Sequence, residues 1–240
     1  GPLMRVRLFT RSQEEHIVLI VIHHIVFDGF SSVLYLEALF TAYRELQQGN
    51  NPQPLPLSNQ YDDFVEWEQK MLTEEGEALR SYWERQLAGP LPALALPADH
   101  PRPLTSSFTG QVYTGTLSPE LSKQVKAFAH THNVSLSVVL LGIYKLLTYR
   151  YTGQNDLVVG MPTIGFFINM IAVRSKMDGS QNFLRFLKEL EYNLLDGLDH
   201  ASYPFPALVR ELNVPRGQDA APGFQTVFSY QNFLRATGLR

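Results

Sequence analysis

His23 and His24 stand side by side at the end of an apolar, β-branched run, and Asp28-Gly29 follows close behind. An imidazole titrates near neutral pH and can take or return a proton in a reaction. A carboxylate across the following turn can orient the backbone or pair with a cation. Gly29 permits a positive φ and the close approach of a substrate arm. Ser31 opens a helical pattern and reads as its N-cap. A proton-handling group is thus expected where a strand gives way to a turn and a helix, rigidly held yet accessible. Adjacent side chains on a strand face opposite sides. One histidine then faces a cleft and the other points into the fold.

Three other readings compete. The pair can be purely structural, two satisfied imidazoles before a capped helix. A metal site needs a third ligand at suitable spacing, and two splayed neighbours do not supply it. A serine hydrolase needs a nucleophile elbow, and no Gly-x-Ser-x-Gly occurs. With no cysteine in the chain, thiolate chemistry, disulfides and cysteine zinc sites are excluded.

The elements that must position these residues read as follows. Residues 16–27 predict a buried strand and residues 31–48 a helix. Three prolines make 49–58 a loop. Residues 60–87 predict one amphipathic helix, with Tyr61, Phe64, Trp67, Met71, Leu79 and Trp83 on its core side. A second proline-rich stretch, 89–103, has the composition of an extended linker, and a lobe boundary is placed near residue 95. Beyond it, 110–117 alternates like a strand. Ser118-Pro119 starts a helix to about 130, and Ser135 another to about 150. Residues 156–163 and 166–173 predict strands, 181–198 and 205–212 helices, and 225–233 a last strand. Helices and strands alternate, so the fold class is α/β or α+β.

Composition narrows the function. The 240 residues are 45% hydrophobic and 18% charged, with net charge -3, which fits a folded chain with a sizeable core. No basic cluster points to nucleic acid. The longest apolar run, 17–22, is too short to span a bilayer. No leader is visible, and an intracellular, cytoplasmic location is the default expectation.

The block His23-His24-Ile-Val-Phe-Asp28-Gly29 resembles the His-His-x-x-x-Asp-Gly motif of nonribosomal peptide synthetase condensation domains, within the chloramphenicol acetyltransferase-like superfamily. Three further segments resemble that family in the same order. Tyr61-Asp-Asp-Phe-Val-Glu-Trp67 is similar to its Tyr-x-Asp-Phe-Ala-x-Trp segment. Gly165-Phe-Phe-Ile-Asn-Met-Ile-Ala-Val-Arg174 is similar to Gly-x-Phe-Val-Asn-Thr-x-x-x-Arg. His200-Ala-Ser-Tyr-Pro-Phe205 is similar to His-Gln-Asp-Tyr-Pro-Phe. Gly1-Pro-Leu-Met-Arg5 resembles the stretch before the histidine motif. The family's earliest motifs and its last Arg-rich motif have no counterpart. The resemblance therefore implies part of a V-shaped, two-lobed architecture, with 1–95 the end of the first lobe and 96–240 most of the second. The family has a basic residue and a loop where Gly165 meets Phe166, so a segment omitted between 165 and 166 is expected.

The resemblance implies amide or ester bond formation between a carrier-bound acyl or peptidyl thioester and a carrier-bound acceptor, in a peptide or hybrid peptide/polyketide assembly line. His24 is the catalytic candidate. His23, Asp28 and Gly29 support the site, and Arg174 stands in for the arginine that pairs with the motif aspartate. Ser31, Asn169 and Asn232 are expected along the substrate tunnel. No metal or directly bound cofactor is implied. Phosphopantetheine arms arrive on upstream and downstream carrier proteins, and neighbouring assembly-line domains are the other partners. Neither nucleic acid nor membrane is implied. An epimerization domain, a stand-alone acyltransferase using coenzyme A, and an inactive carrier-binding or gatekeeping module are the alternatives.

Overall fold

A computed structural model describes residues 1–54, 59–100, 109–164, 167–211 and 223–231. The chain packs as two compact units, 1–60 with 231–240, and 61–230.

The first unit opens on strands β1 (Met4–Thr10) and β2 (His16–Ile22), paired antiparallel from Met4 opposite Ile22 to Thr10 opposite His16. The turn between them closes where the Arg11 and Ser12 amides donate to the Glu15 carbonyl. A 3₁₀ turn (His24–Val26) follows, then helix α1 (Gly29–Gln47). Two expectations change here. The strand stops at Ile22, so the histidines leave the pleat, because His24 enters a helical turn. The side chains of β2 are largely exposed, whereas its unbroken apolar composition had predicted burial. Strand β1 went unpredicted, although the apolar Met4, Val6 and Leu8 alternate with Arg5 and Arg7.

The second unit begins with α2 (Tyr61–Glu74) and α3 (Gly76–Gln86), two helices where one was expected, broken at Glu75. Helices α4 (Pro119–Thr131) and α5 (Leu136–Thr152) are capped by Ser118 and Ser135, whose hydroxyls accept from the Leu121 and Val138 amides. Gly153, in the left-handed region, ends α5. Strands β3 (Asp156–Ile164) and β4 (Ile168–Lys176) pair antiparallel, with Ile164 opposite Ile168. Antiparallel neighbours need only a two- to five-residue loop, so the pairing itself does not demand extra chain. Gly165 and Phe166, where an omitted segment was expected, lie outside the described residues. Helices α6 (Phe183–Asp199) and α7 (Phe205–Glu211) complete the unit. Residues 110–117 form no strand. The expected last strand reduces, among the described residues, to one parallel bridge between Gly160 and Val227.

One core binds these elements. Leu79 and Trp83 of α3, Val139 and Leu141 of α5, Val159 of β3, Ile171 of β4, and Leu187 and Leu190 of α6 are all buried. Because α3 shares this core, the packing division falls at residue 60, well before the proline-rich stretch where composition placed a lobe boundary. Glycine permits two close approaches. A β-carbon on Gly142 would overlap Leu187 of α6, and one on Gly160 would overlap the ring of Phe224.

Candidate functional site

The histidine turn is built by backbone hydrogen bonds and one cap. The His23 amide donates to the Leu3 carbonyl (2.8 Å), anchoring the chain beside β1. His23 itself is extended, and its Nδ1 accepts from the Ile25 amide (3.0 Å). An accepting Nδ1 places the proton of the neutral ring on Nε2. His23 is therefore a cap for the 3₁₀ turn. His24, the next residue, is exposed, and among the described residues its ring makes no hydrogen bond, while its field reaches the Asp28 carboxylate.

Asp28 closes the turn. Its Oδ1 accepts from the Ser31 amide and the Ser31 hydroxyl, both at 2.7 Å, capping α1. Partial burial pushes its pKa up, but hydrogen bonds from the Ser31 amide, the Ser31 hydroxyl and the Phe30 amide outweigh it, aided by the field of His24. The net shift is below the usual carboxylate range. Two assignments are corrected. Asp28, not Ser31, is the N-cap, and the Ser31 hydroxyl is spent on that carboxylate. Gly29 is the first residue of α1 and its φ is not positive, so it serves helix entry. Phe27 packs edge-on against Tyr35 of α1, ring centroids 6.1 Å apart, pinning the turn to its helix.

Two polar motif residues of the second unit, Asn169 and Arg174, have partners within that unit. Asn169 of β4 donates through Nδ2 to the carbonyls of Ala201 (2.9 Å) and Tyr203 (2.8 Å), and its Oδ1 accepts from the Phe205 amide (3.1 Å). Both donors are used, so Asn169 staples β4 to the turn between α6 and α7. Arg174 grips Asp156 through Nε and Nη2 (2.7–3.3 Å) and donates to the carbonyls of Ala88 (2.7 Å) and Pro90 (3.3 Å). In the second unit that guanidinium is matched to the Asp156 carboxylate. Hydrogen bonds from Arg174 hold the Asp156 carboxyl below its usual range against the opposing effect of burial. Asn232 lies outside the described residues.

His200 stacks flat on Tyr82 (3.7 Å between centroids, 7° between planes) and its Nδ1 lies 2.7 Å from the Asp196 carbonyl. Its own carbonyl accepts from Trp83 Nε1 (3.0 Å). The Tyr203 hydroxyl donates to Glu211 (2.6 Å), and burial, with Glu211, pushes its pKa up to about 12. Tyr61 and Trp67, expected in the core, are 63% and 39% exposed. Tyr61 and Phe64 meet Phe167 edge to face, at 5.5 and 4.5 Å between ring centroids, and Trp67 lies tilted against Phe64 at 5.8 Å. Sequence reading missed Asp156 and Lys145. A lysine inside an apolar helix pattern was the available signal for the second.

Comparison with known proteins decides the family. A family model described as Condensation domain matches residues 1–237. The chain belongs to the condensation-domain family. It is 52% identical over 252 residues to polyketide synthase PksN of Bacillus subtilis (strain 168), an alignment covering 100% of this chain and 5% of that protein. It is 35% identical over 244 residues to tyrocidine synthase 3 of Brevibacillus parabrevis, covering 97% of this chain and 4% of that synthase. Among solved structures it resembles the X-domain from teicoplanin biosynthesis, with a TM-score of 0.84 at 23% identity, over 95% of this chain and 54% of that one. The condensation-domain chain thus spans a small part of its assembly-line relatives and about half of that solved domain. The likeness shows the shared fold, and the mixed helix and sheet content agrees with the expected α/β class. Among the described residues, no group of three or more His, Cys, Asp or Glu is placed to hold a metal ion. No described helix is long and apolar enough to cross a membrane.

Proposed function

We propose that this chain carries the catalytic turn of a condensation domain that joins two carrier-bound groups. The observation that supports this most is the division of labour at the His23–Asp28 turn. His23 and Asp28 hold the backbone, and the exposed His24 ring makes no hydrogen bond among the described residues. A carrier protein presents an acyl or peptidyl thioester on its phosphopantetheine arm; a second presents an amine or hydroxyl. His24 takes the proton of the attacking amine or hydroxyl, or holds that group on line, while the thioester carbon is attacked and the thiol leaves. Positioning turns a bimolecular step into an effectively unimolecular one. A base at this position adds a factor of roughly 10²–10⁴. Kinship with PksN and with tyrocidine synthase 3 supports a peptide or hybrid peptide/polyketide assembly line as the setting. Carrier proteins and adjoining assembly-line domains are then the partners. Lobes at 1–95 and 96–240 remain the proposed division of the family architecture.

The test is transfer between two loaded carriers with the complete domain, followed by intact-protein mass spectrometry. The acceptor carrier should gain the donor's acyl mass. Exchange of the donor's α-hydrogen for deuterium from solvent, without transfer, would instead identify epimerization. Binding of both carriers with neither outcome would identify a gatekeeping module.

A further inference from the structure

Lys145 projects from α5 into the core with 0% of its surface exposed. Its Nζ donates to the Val173 carbonyl of β4 (2.8 Å) and, at 3.4 Å, to the Leu157 carbonyl of β3. One amine therefore ties a helix to both strands of a hairpin. Two carbonyls match the two N–H groups of a neutral amine, whereas an ammonium carries a third donor that would go unmet. The buried faces that α6 and α4 bring to the core are apolar, Phe186, Leu187, Leu190 and Leu194 from one and Ala129 from the other. From β3 comes Asp156, among the described residues the one charged group whose field reaches Lys145, and its carboxylate is already held by Arg174 of β4, with Lys176 alongside.

We propose that Lys145 is a proton-operated latch between α5 and the β3–β4 hairpin, seated as a neutral amine and weakened when it takes up a proton. This is independent of the reaction at His24. The direction follows from burial, which lowers the lysine pKa to about 7 against a weaker opposing effect of Asp156. An unfolded lysine titrates near 10.4. Between these values the unfolded chain holds a proton that the folded chain lacks, so stability rises with pH and is reduced as pH falls towards 7.

The experiment is urea unfolding of the complete domain between pH 8.0 and 9.5, a window above histidine titration and below that of tyrosine. One proton taken up on unfolding makes the folding equilibrium constant rise about tenfold per pH unit. Lys145→Met should lose that slope. Nuclear magnetic resonance of the Lys145 side chain in the unaltered protein gives a second readout, independent of whether the variant folds, and its titration should centre near neutral pH. A flat profile in the unaltered protein, a slope that persists in Lys145→Met, or a lysine that titrates above pH 10 would overturn the proposal.

Discussion

Asn169→Ala separates the staple from a tunnel. The substitution deletes three hydrogen bonds at once and leaves the Ala201 and Tyr203 carbonyls and the Phe205 amide without their partner. At about 0.5–1.5 kcal/mol net for each bond, the loss is about 2–4 kcal/mol, with the lower end favoured because the site is half-buried and water can reach it. Urea unfolding should show the midpoint fall with the slope unchanged. Amide hydrogen exchange at Phe205 should accelerate by the same free energy. Asn169→Asp sharpens the test. A carboxylate keeps the acceptor for Phe205 but faces two carbonyls with no donor. Its folded pKa must then be raised, because protonation restores one donor. The folded state binds the proton more tightly, so this variant gains stability as pH falls through its raised pKa. A loss below about 0.5 kcal/mol in Asn169→Ala, with Phe205 still protected, would refute the staple. Impaired turnover in a fully stable variant would return Asn169 to the tunnel.

Other outcomes follow from the same geometry. Asp28→Ala should cost about 1 kcal/mol by removing the α1 cap, while Asp28→Asn, still a good capping residue, should cost less; thermal unfolding checks both. Arg174→Lys should destabilise by roughly 1–3 kcal/mol, since one ammonium cannot hold Asp156 and two carbonyls together; denaturant unfolding measures it. Asp156 is depressed in the folded state, so its contribution is full above about pH 4 and is lost as pH falls through the lower folded value. An acid titration of Asp156→Asn should therefore show a shallower acid limb. Gly160→Ala should destabilise by about 1–3 kcal/mol, because the Phe224 ring occupies the space of the new methyl; the unfolding midpoint would show it.

What was legible in the sequence was local chemistry. Ser118 and Ser135 announced their helices, and the paired histidines with Asp28 announced a turn before α1. Asp28 caps that helix through Ser31. What failed depended on long-range packing. Arg174 and Asn169 are each committed to groups far away along the chain or across the hairpin, such as Ala88 and Tyr203, and no local pattern encodes such partners. The β2 run looked buried because composition reports what a strand is made of, not what covers it. The break at Glu75 was missed because the apolar stripe continues from α2 into α3.

The proposed role of His24 in condensation is decided by single-turnover transfer between loaded carriers, followed by mass spectrometry, for the unaltered domain and for His24→Ala. His24→Ala should remain folded and bind both carriers, while transfer slows by roughly 10²–10⁴. Unchanged transfer by folded His24→Ala would exclude that role.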